Sequence, residues 1–241
     1  MQHIIEHTYE AMAETAGADL LHILQGVEAP LICPTSGSTP AAMYSALGKR
    51  MQREKVDYSR WHFVGLDEWA GMNGTDKGSC RHFVDQTLFE PLGIREEQIC
   101  FFDGRAADLV WECTRVEDFI QQQGGITIAI VGLGLNGHVG MNEPGTTASM
   151  RTHVAKIAKE TQAVGQKYFE TEKDLSKGLT LGLATLLEAK HLFLVANGKK
   201  KAAIVQKIVR EAPSEALPAT LLKNHPGFRM YLDAEAAALL P

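Results

Sequence analysis

Residues 126–131 read Ile-Thr-Ile-Ala-Ile-Val. A nearly continuous apolar, β-branched run does not suit a wet surface. It fits a strand covered on both faces, the condition of a central strand in a parallel sheet. Gly124-Gly125 stops a helix predicted over Ala107–Gln123, and Gly132 follows the strand. The same plan recurs along the chain. Thr8–Val27 is amphipathic, with apolar Met12, Ala16, Leu20, Leu21, Ile23 and Leu24. Ala29–Cys33 and Trp61–Leu66 read as strands. Ala41–Arg53, with Pro40 suited to its first position, and Ser79–Leu88 read as helices. Further on come helical stretches at 160–169 and 181–188, a strand His191–Ala196, a helix Lys200–Glu211 and a last strand Phe228–Leu232. Strands separated by helices imply βαβ units. The expected fold is α/β: one domain over residues 1–241, three-layered, with a mainly parallel, Rossmann-like sheet and helices on both faces.

Composition removes several classes of function. Lys+Arg is 24 against 29 Asp+Glu, a net charge of −5, so there is no electrostatic footprint for nucleic acid. The longest apolar-plus-glycine run, Ile126–Leu135, is about half of what a bilayer span needs, so no membrane partner is expected. The first fifteen residues carry His3, Glu6, His7, Glu10 and Glu14, unlike a secretory signal. Cys33, Cys80, Cys100 and Cys113 are widely spaced without a C-x-x-C pair, which reads as reduced, buried thiols of a cytoplasmic protein. Only His3 and His7 sit four apart, with no third ligand nearby, so no metal site is expected.

In an open α/β sheet the ligand sits beyond the carboxyl ends of the strands, so the loops that follow them are where chemistry belongs. After Cys33 comes Pro-Thr-Ser-Gly-Ser-Thr-Pro (34–40) and then a helix. Backbone N–H groups there can wrap an anion, although Ser and Thr are equally at home in an ordinary N-capping loop. After Leu66 come Asp67, Glu68 and Trp69. Successive strand residues face opposite ways, so one carboxylate of the pair should face the cleft, as a general base would; a helix cap with a solvated Glu is the plainer alternative. After Val131 comes Gly-Leu-Gly-Leu-Asn-Gly-His-Val-Gly-Met-Asn-Glu-Pro (132–144). Its G-x-G-x-x-G opens no helix, which argues against a dinucleotide site. His138 and Glu143, with Asn136 and Asn142 in the same loop, form a titratable pair held by polar partners. After Ala196 come Gly198, Lys199, Lys200 and Lys201; three lysines at a helix start oppose its dipole, a conflict that a bound anion resolves.

Four elements in this order, Ser36–Pro40, Leu66–Trp69, Gly134–Gly145 and Gly198–Lys201, make the chain similar to the glucosamine-6-phosphate deaminase/isomerase family, which includes the galactosamine-6-phosphate isomerases. The N-G-H-x-G-x-N-E-P-G stretch carries most of the resemblance. The related 6-phosphogluconolactonases share the glycine-rich core but not its Asn-Glu-Pro continuation. The resemblance implies conversion of a 2-amino-2-deoxyhexose 6-phosphate to a ketohexose 6-phosphate with loss of ammonia, without metal or organic cofactor. It casts Asp67 as the base between C2 and C1, His138 as the ring-opening group, Glu143 as its carboxylate partner and Asn136 as a member of the same catalytic loop. It casts Ser36, Gly37, Ser38, Thr39 and Lys201 as phosphate ligands, with Lys167 where longer members have a phosphate-binding arginine. Asn136 stands where longer members have an aspartate, so a third carboxylate is missing from the relay. His153 stands where they carry an effector-site arginine, and the chain lacks their C-terminal extension, which implies no activation by an N-acetylated sugar phosphate. Trp69 and Gly78-Ser79-Cys80 look more like the galactosamine-6-phosphate isomerases, and the oligomeric expectation is a monomer or small homo-oligomer. A 6-phosphogluconolactonase-like hydrolase and a non-catalytic sugar-phosphate sensor are the competing readings.

Overall fold

A computed structural model describes residues 2–241. In chain order its elements are β1 (Gln2–Glu6), α1 (Tyr9–Gln25), β2 (Leu31–Cys33), α2 (Ser38–Glu54), β3 (His62–Val64), β4 (Asp67–Trp69), α3 (Cys80–Val84), α4 (Glu90–Leu92) and β5 (Ile99–Cys100). There follow α5 (Leu109–Gln122), β6 (Ile128–Val131), β7 (His153–Lys156), α6 (Lys159–Gly165), β8 (Lys177–Thr180), α7 (Leu183–Leu187), β9 (His191–Ala196), α8 (Ala202–Arg210) and β10 (Phe228–Asp233).

Seven strands form one sheet in the order β1-β10-β9-β6-β2-β3-β5, every pair parallel. The apolar run at its centre behaves as a doubly covered strand should: all four residues of β6 are fully buried. Ile128 and Ile130 pack into one core with α1 and α2, while Ala129 and Val131 pack into the other with α5 and α8. Leu192 and Leu194 of β9 alternate with Phe193 and Val195 in the same way. Each buried Ile, Val, Leu or Phe among them contributes roughly 1.5–3 kcal/mol, so the two cores clamp the sheet into three layers. From β2 the chain adds strands in one direction, through β3 to β5. From β6 it adds them in the other, through β9 to β10. The order reverses between β2 and β6, which makes the loops after these two strands the walls of the crevice.

The structure also corrects the elements expected from sequence. The strand predicted over Trp61–Leu66 is cut to β3, and the chain turns at Gly65 into β4, which belongs to a separate antiparallel sheet, β4-β8-β7. Helix α2 starts at Ser38, so Pro40 is its third residue and not its first. The helix expected over Ser79–Leu88 is broken into α3, a π-helical turn (Asp85–Phe89) and α4. Strands β1, β5, β7 and β8 escaped prediction. They are short, and β1 lies at an edge with little burial to impose a pattern. Among the described residues no helix is long and apolar enough to cross a membrane.

Candidate active site

A cavity of about 530 Å³ opens at the point where the strand order reverses. The loop after β2 forms one wall. Tyr44 anchors it from below: its hydroxyl donates to the Thr35 carbonyl at 2.8 Å and accepts from the Thr35 N–H at 2.9 Å. Gly37 precedes α2 at φ 109°, a conformation open mainly to glycine, and no side chain caps the helix. Ser36, Gly37, Ser38 and Thr39 line the cavity, with the N–H groups of the uncapped α2 beside them. Lys201 reaches the same cavity and donates to the Leu133 carbonyl; burial pulls its ammonium below the usual lysine value. A helix N-terminus with a half-buried lysine is a site for an anion. Lys199 and Lys200 are exposed and stay outside.

Asp67 lies on the cavity wall with 8% of its surface exposed. Burial pushes its carboxyl up to about 6, against a hydrogen bond from the Cys80 thiol that pulls it down. Glu68 points the other way, as the strand geometry predicts. It is wholly buried and accepts from the N–H groups of Trp69, Cys80 and Arg81 at 2.8, 3.0 and 2.9 Å. Glu68 thereby ties β4 to the start of α3, while its neighbour is left to the cavity.

Opposite stands the loop after β6. Its end is pinned by Asn142, whose amide donates to the Val139 and Leu181 carbonyls, both at 2.9 Å. His138 lines the cavity, and burial pulls its imidazole below the ordinary value, with Glu143 opposing and Lys201 assisting. The expected pairing of His138 with Glu143 takes a different form. Nδ1 is 3.7 Å from the Glu143 carboxylate, too long for a hydrogen bond. Asn136 lies between them: its oxygen is 2.7 Å from Nδ1 and its nitrogen donates to Glu143 at 2.7 Å.

Lys167 is not brought to the site. Helix α6 ends at Gly165 and passes into a tighter 3₁₀ turn over Gln166–Tyr168. That turn carries Tyr168 to the cavity and leaves Lys167 exposed outside it. His153 lies on β7, its Nδ1 at 2.9 Å from the Arg151 carbonyl, likewise away from the cavity. Thr161, Val164 and Tyr168 were not singled out in the sequence, yet they line the cavity from α6 and its extension. They lie between β7 and β8 of the small antiparallel sheet, whose strands carry no strong pattern, so the loops after buried strands do not point to them. Cys33, Cys80, Cys100 and Cys113 are all buried and unpaired.

Acid–base chemistry on a phosphorylated substrate is the class this arrangement fits. The chain belongs to the family described as glucosamine-6-phosphate isomerases/6-phosphogluconolactonase, which it matches over residues 6–230. It is 37% identical over 232 residues to a glucosamine-6-phosphate deaminase of Shouchella clausii (strain KSM-K16), covering 96% of this chain and 94% of the relative. It is 33% identical to that of Alkaliphilus oremlandii (strain OhILAs), covering 98% of both. The solved structure of a monomeric glucosamine-6-phosphate deaminase matches with a TM-score of 0.95 at 31% identity, covering 99% of this chain and all of the other. A 6-phosphogluconolactonase from Trypanosoma brucei matches with a TM-score of 0.78 at 20% identity, over all of this chain and 98% of the other, which is likeness of fold alone.

Proposed function

We propose that the protein converts a 2-amino-2-deoxyhexose 6-phosphate and water to a ketohexose 6-phosphate and ammonia. The observation that carries this reading is the single cavity shared by a buried carboxylate, an imidazole relay and an anion loop. The phosphate sits on the N-terminus of α2 and on Lys201, and its binding free energy holds the reacting end in place. His138 opens the pyranose by moving the proton of the anomeric hydroxyl to the ring oxygen. Asp67 then takes the proton from C2 and delivers it to C1, while the C1 oxygen gains the proton that the C2 amino group gives up as the C=N bond forms; the raised value of Asp67 makes its protonated form accessible, as a proton carrier requires. Water adds to the resulting imine carbon at C2, and ammonia leaves. Every step is acid–base chemistry within reach of these side chains. We read residues 1–241 as one domain, acting as a monomer or small homo-oligomer in the cytoplasm, a compartment that suits four unpaired thiols.

For the sugar, our reading is galactosamine 6-phosphate. The two features that resemble the isomerases of that epimer, Trp69 and Gly78-Ser79-Cys80, both line the cavity. The relatives' names favour glucosamine 6-phosphate as the second reading. The test is ammonia release from the two epimers side by side. A ratio of kcat/KM of about tenfold or more toward glucosamine 6-phosphate reverses the choice of sugar. Release from neither overturns the reaction.

A further inference from the structure

The two halves of the anion site come from loops that the sheet keeps apart. Ser36–Thr39 follows β2, the lysine turn follows β9, and β6 lies between those strands. Neighbouring strands are about 4.8 Å apart, so the two loops start about 10 Å from each other. A side-chain hydrogen bond spans that gap: the Thr39 hydroxyl donates to the Asn197 amide oxygen at 2.6 Å. Asn197 is the first residue after β9 and is not part of the cavity wall. A hydroxyl carries one hydrogen. That of Thr39 is engaged with Asn197, so toward an anion Thr39 offers its backbone N–H in the uncapped first turn of α2. The lysine turn is also held from below. Gly198 stands at φ 84°, and its N–H donates to both Asp233 oxygens at 3.0 Å. Asp233 ends β10, is buried, and accepts from the Ala236 N–H at 2.8 Å as well. The Gly198 carbonyl accepts from the Lys201 N–H at 2.9 Å, closing the 3₁₀ turn that brings Lys201 to the cavity. Asp233 thus ties the turn to the sheet, and Asn197 ties it to the other half of the site.

We propose, taking this anion site as the phosphate site of the reaction above, that Asn197 is a positioning residue: through Thr39 it braces the start of α2 against the lysine turn and sets the width of a pocket for one phosphate group. The two elements it joins are both electropositive, the amide end of α2 on one side and the Lys201 ammonium on the other. In the empty site they repel each other, and Lys201 is turned to the Leu133 carbonyl. A brace between them holds the donors at the spacing of the phosphate oxygens before the ligand arrives. The ordering cost is then met in folding and not in binding, which is how preorganisation raises affinity. Asn197 suits the task because its amide is neutral. A carboxylate in its place would accept the same hydrogen but set a negative charge beside the phosphate.

The test uses the whole chain and inorganic phosphate as the probe, titrated by calorimetry into the wild type, Thr39→Val, Asn197→Ala and the double variant. Each substitution removes one end of the bond. The expected result is a phosphate Kd weaker by about 2–10-fold in each single variant, the scale of one hydrogen bond, with no further loss in the double variant. In steady-state assays KM for the hexosamine 6-phosphate should rise by the same factor while kcat moves far less, because Asp67 and His138 stand apart from the brace. Weaker binding in Thr39→Val alone would place the hydroxyl on the phosphate itself and overturn the brace. Multiplicative losses overturn it too, as does a lowered urea midpoint with Kd unmoved, which marks a merely structural bond. A wild type that binds no phosphate removes the site that the brace serves. If the Kd values follow the expected pattern in a protein that releases no ammonia, the brace stands and the reaction falls. If ammonia is released and neither variant moves Kd or KM, the reaction stands and the brace falls.

Discussion

Gly134 is a place where one methyl group should disable the site without unfolding the chain. A Cβ built there lies 2.3 Å from both Cε1 and Nδ1 of His138 and 2.6 Å from Cγ. Non-bonded carbon atoms settle at about 3.5–4.0 Å, so the ring of a Gly134→Ala variant must retreat by about 1 Å or more. The 2.7 Å bond from Nδ1 to Asn136 cannot survive that retreat. A misplacement of about 1 Å costs on the order of 10²-fold in rate, and that is the expected fall in kcat. KM should move far less, because the loop at Ser36–Thr39 and Lys201 are untouched. Crowding costs roughly 1–3 kcal/mol, and replacing glycine returns about 0.4–1 kcal/mol through the unfolded chain. The net loss is small enough for the protein to stay folded. Gly132→Ala is the comparison, since its methyl group meets no atom within 4 Å. The assay is steady-state ammonia release together with urea unfolding of both variants. Wild-type kcat in folded Gly134→Ala would show that the position of the ring does not matter, and the relay argument would fail.

Four further predictions follow from the same geometry. Asp67 must be ionised to accept a proton, so kcat/KM should fall as pH drops through about 6; an activity that is flat down to pH 5 would contradict this. The raised value also costs folding stability, roughly 3 kcal/mol above pH 6, because the unfolded carboxyl ionises near 3.8; Asp67→Asn should resist urea better than the wild type at pH 8, with the gain shrinking between pH 6 and pH 4. Lys201→Ala should raise KM for the phosphorylated sugar, and free hexosamine should be a very poor substrate; equal turnover of the two sugars would contradict the anion site. His138→Gln and Glu143→Gln should be non-additive, the double variant losing little more than the worse single one, because one amide joins them; fully multiplicative losses would argue for separate roles.

The sequence made the main sheet legible because burial there is strong enough to write a pattern. Ile126–Val131 and His191–Ala196 are apolar on both faces because both cores demand it. The loops that follow such strands could then be searched, and Ser36–Thr39, Asp67, His138 and Lys201 do meet in one cavity. The antiparallel sheet left no comparable signal. β4 is three residues long and contains the two carboxylates, and β7 is partly exposed, so neither period nor propensity marks them. Helix α6 was legible as the helical stretch at 160–169, but nothing in the sequence marked it as a wall of the cavity. The course of the relay was also beyond sequence. The sequence paired His138 with Glu143 and set Asn136 and Asn142 beside them as polar partners, but only the fold of the loop at Gly137 puts Asn136 between the two. Lys167 lies outside the cavity for a local reason, the change from α-helix to 3₁₀ turn after Gly165.

The proposed reaction turns on Asp67, which carries the proton between C2 and C1. The direct measurement is kcat for ammonia release by Asp67→Asn on a hexosamine 6-phosphate, beside the wild type at pH 8. The expected result is a folded protein with sugar-phosphate binding retained and kcat lower by about 10²–10⁴-fold, the loss that follows from a missing general base. A kcat within about threefold of the wild type, far below that range, would remove Asp67 from the chemistry and contradict the account.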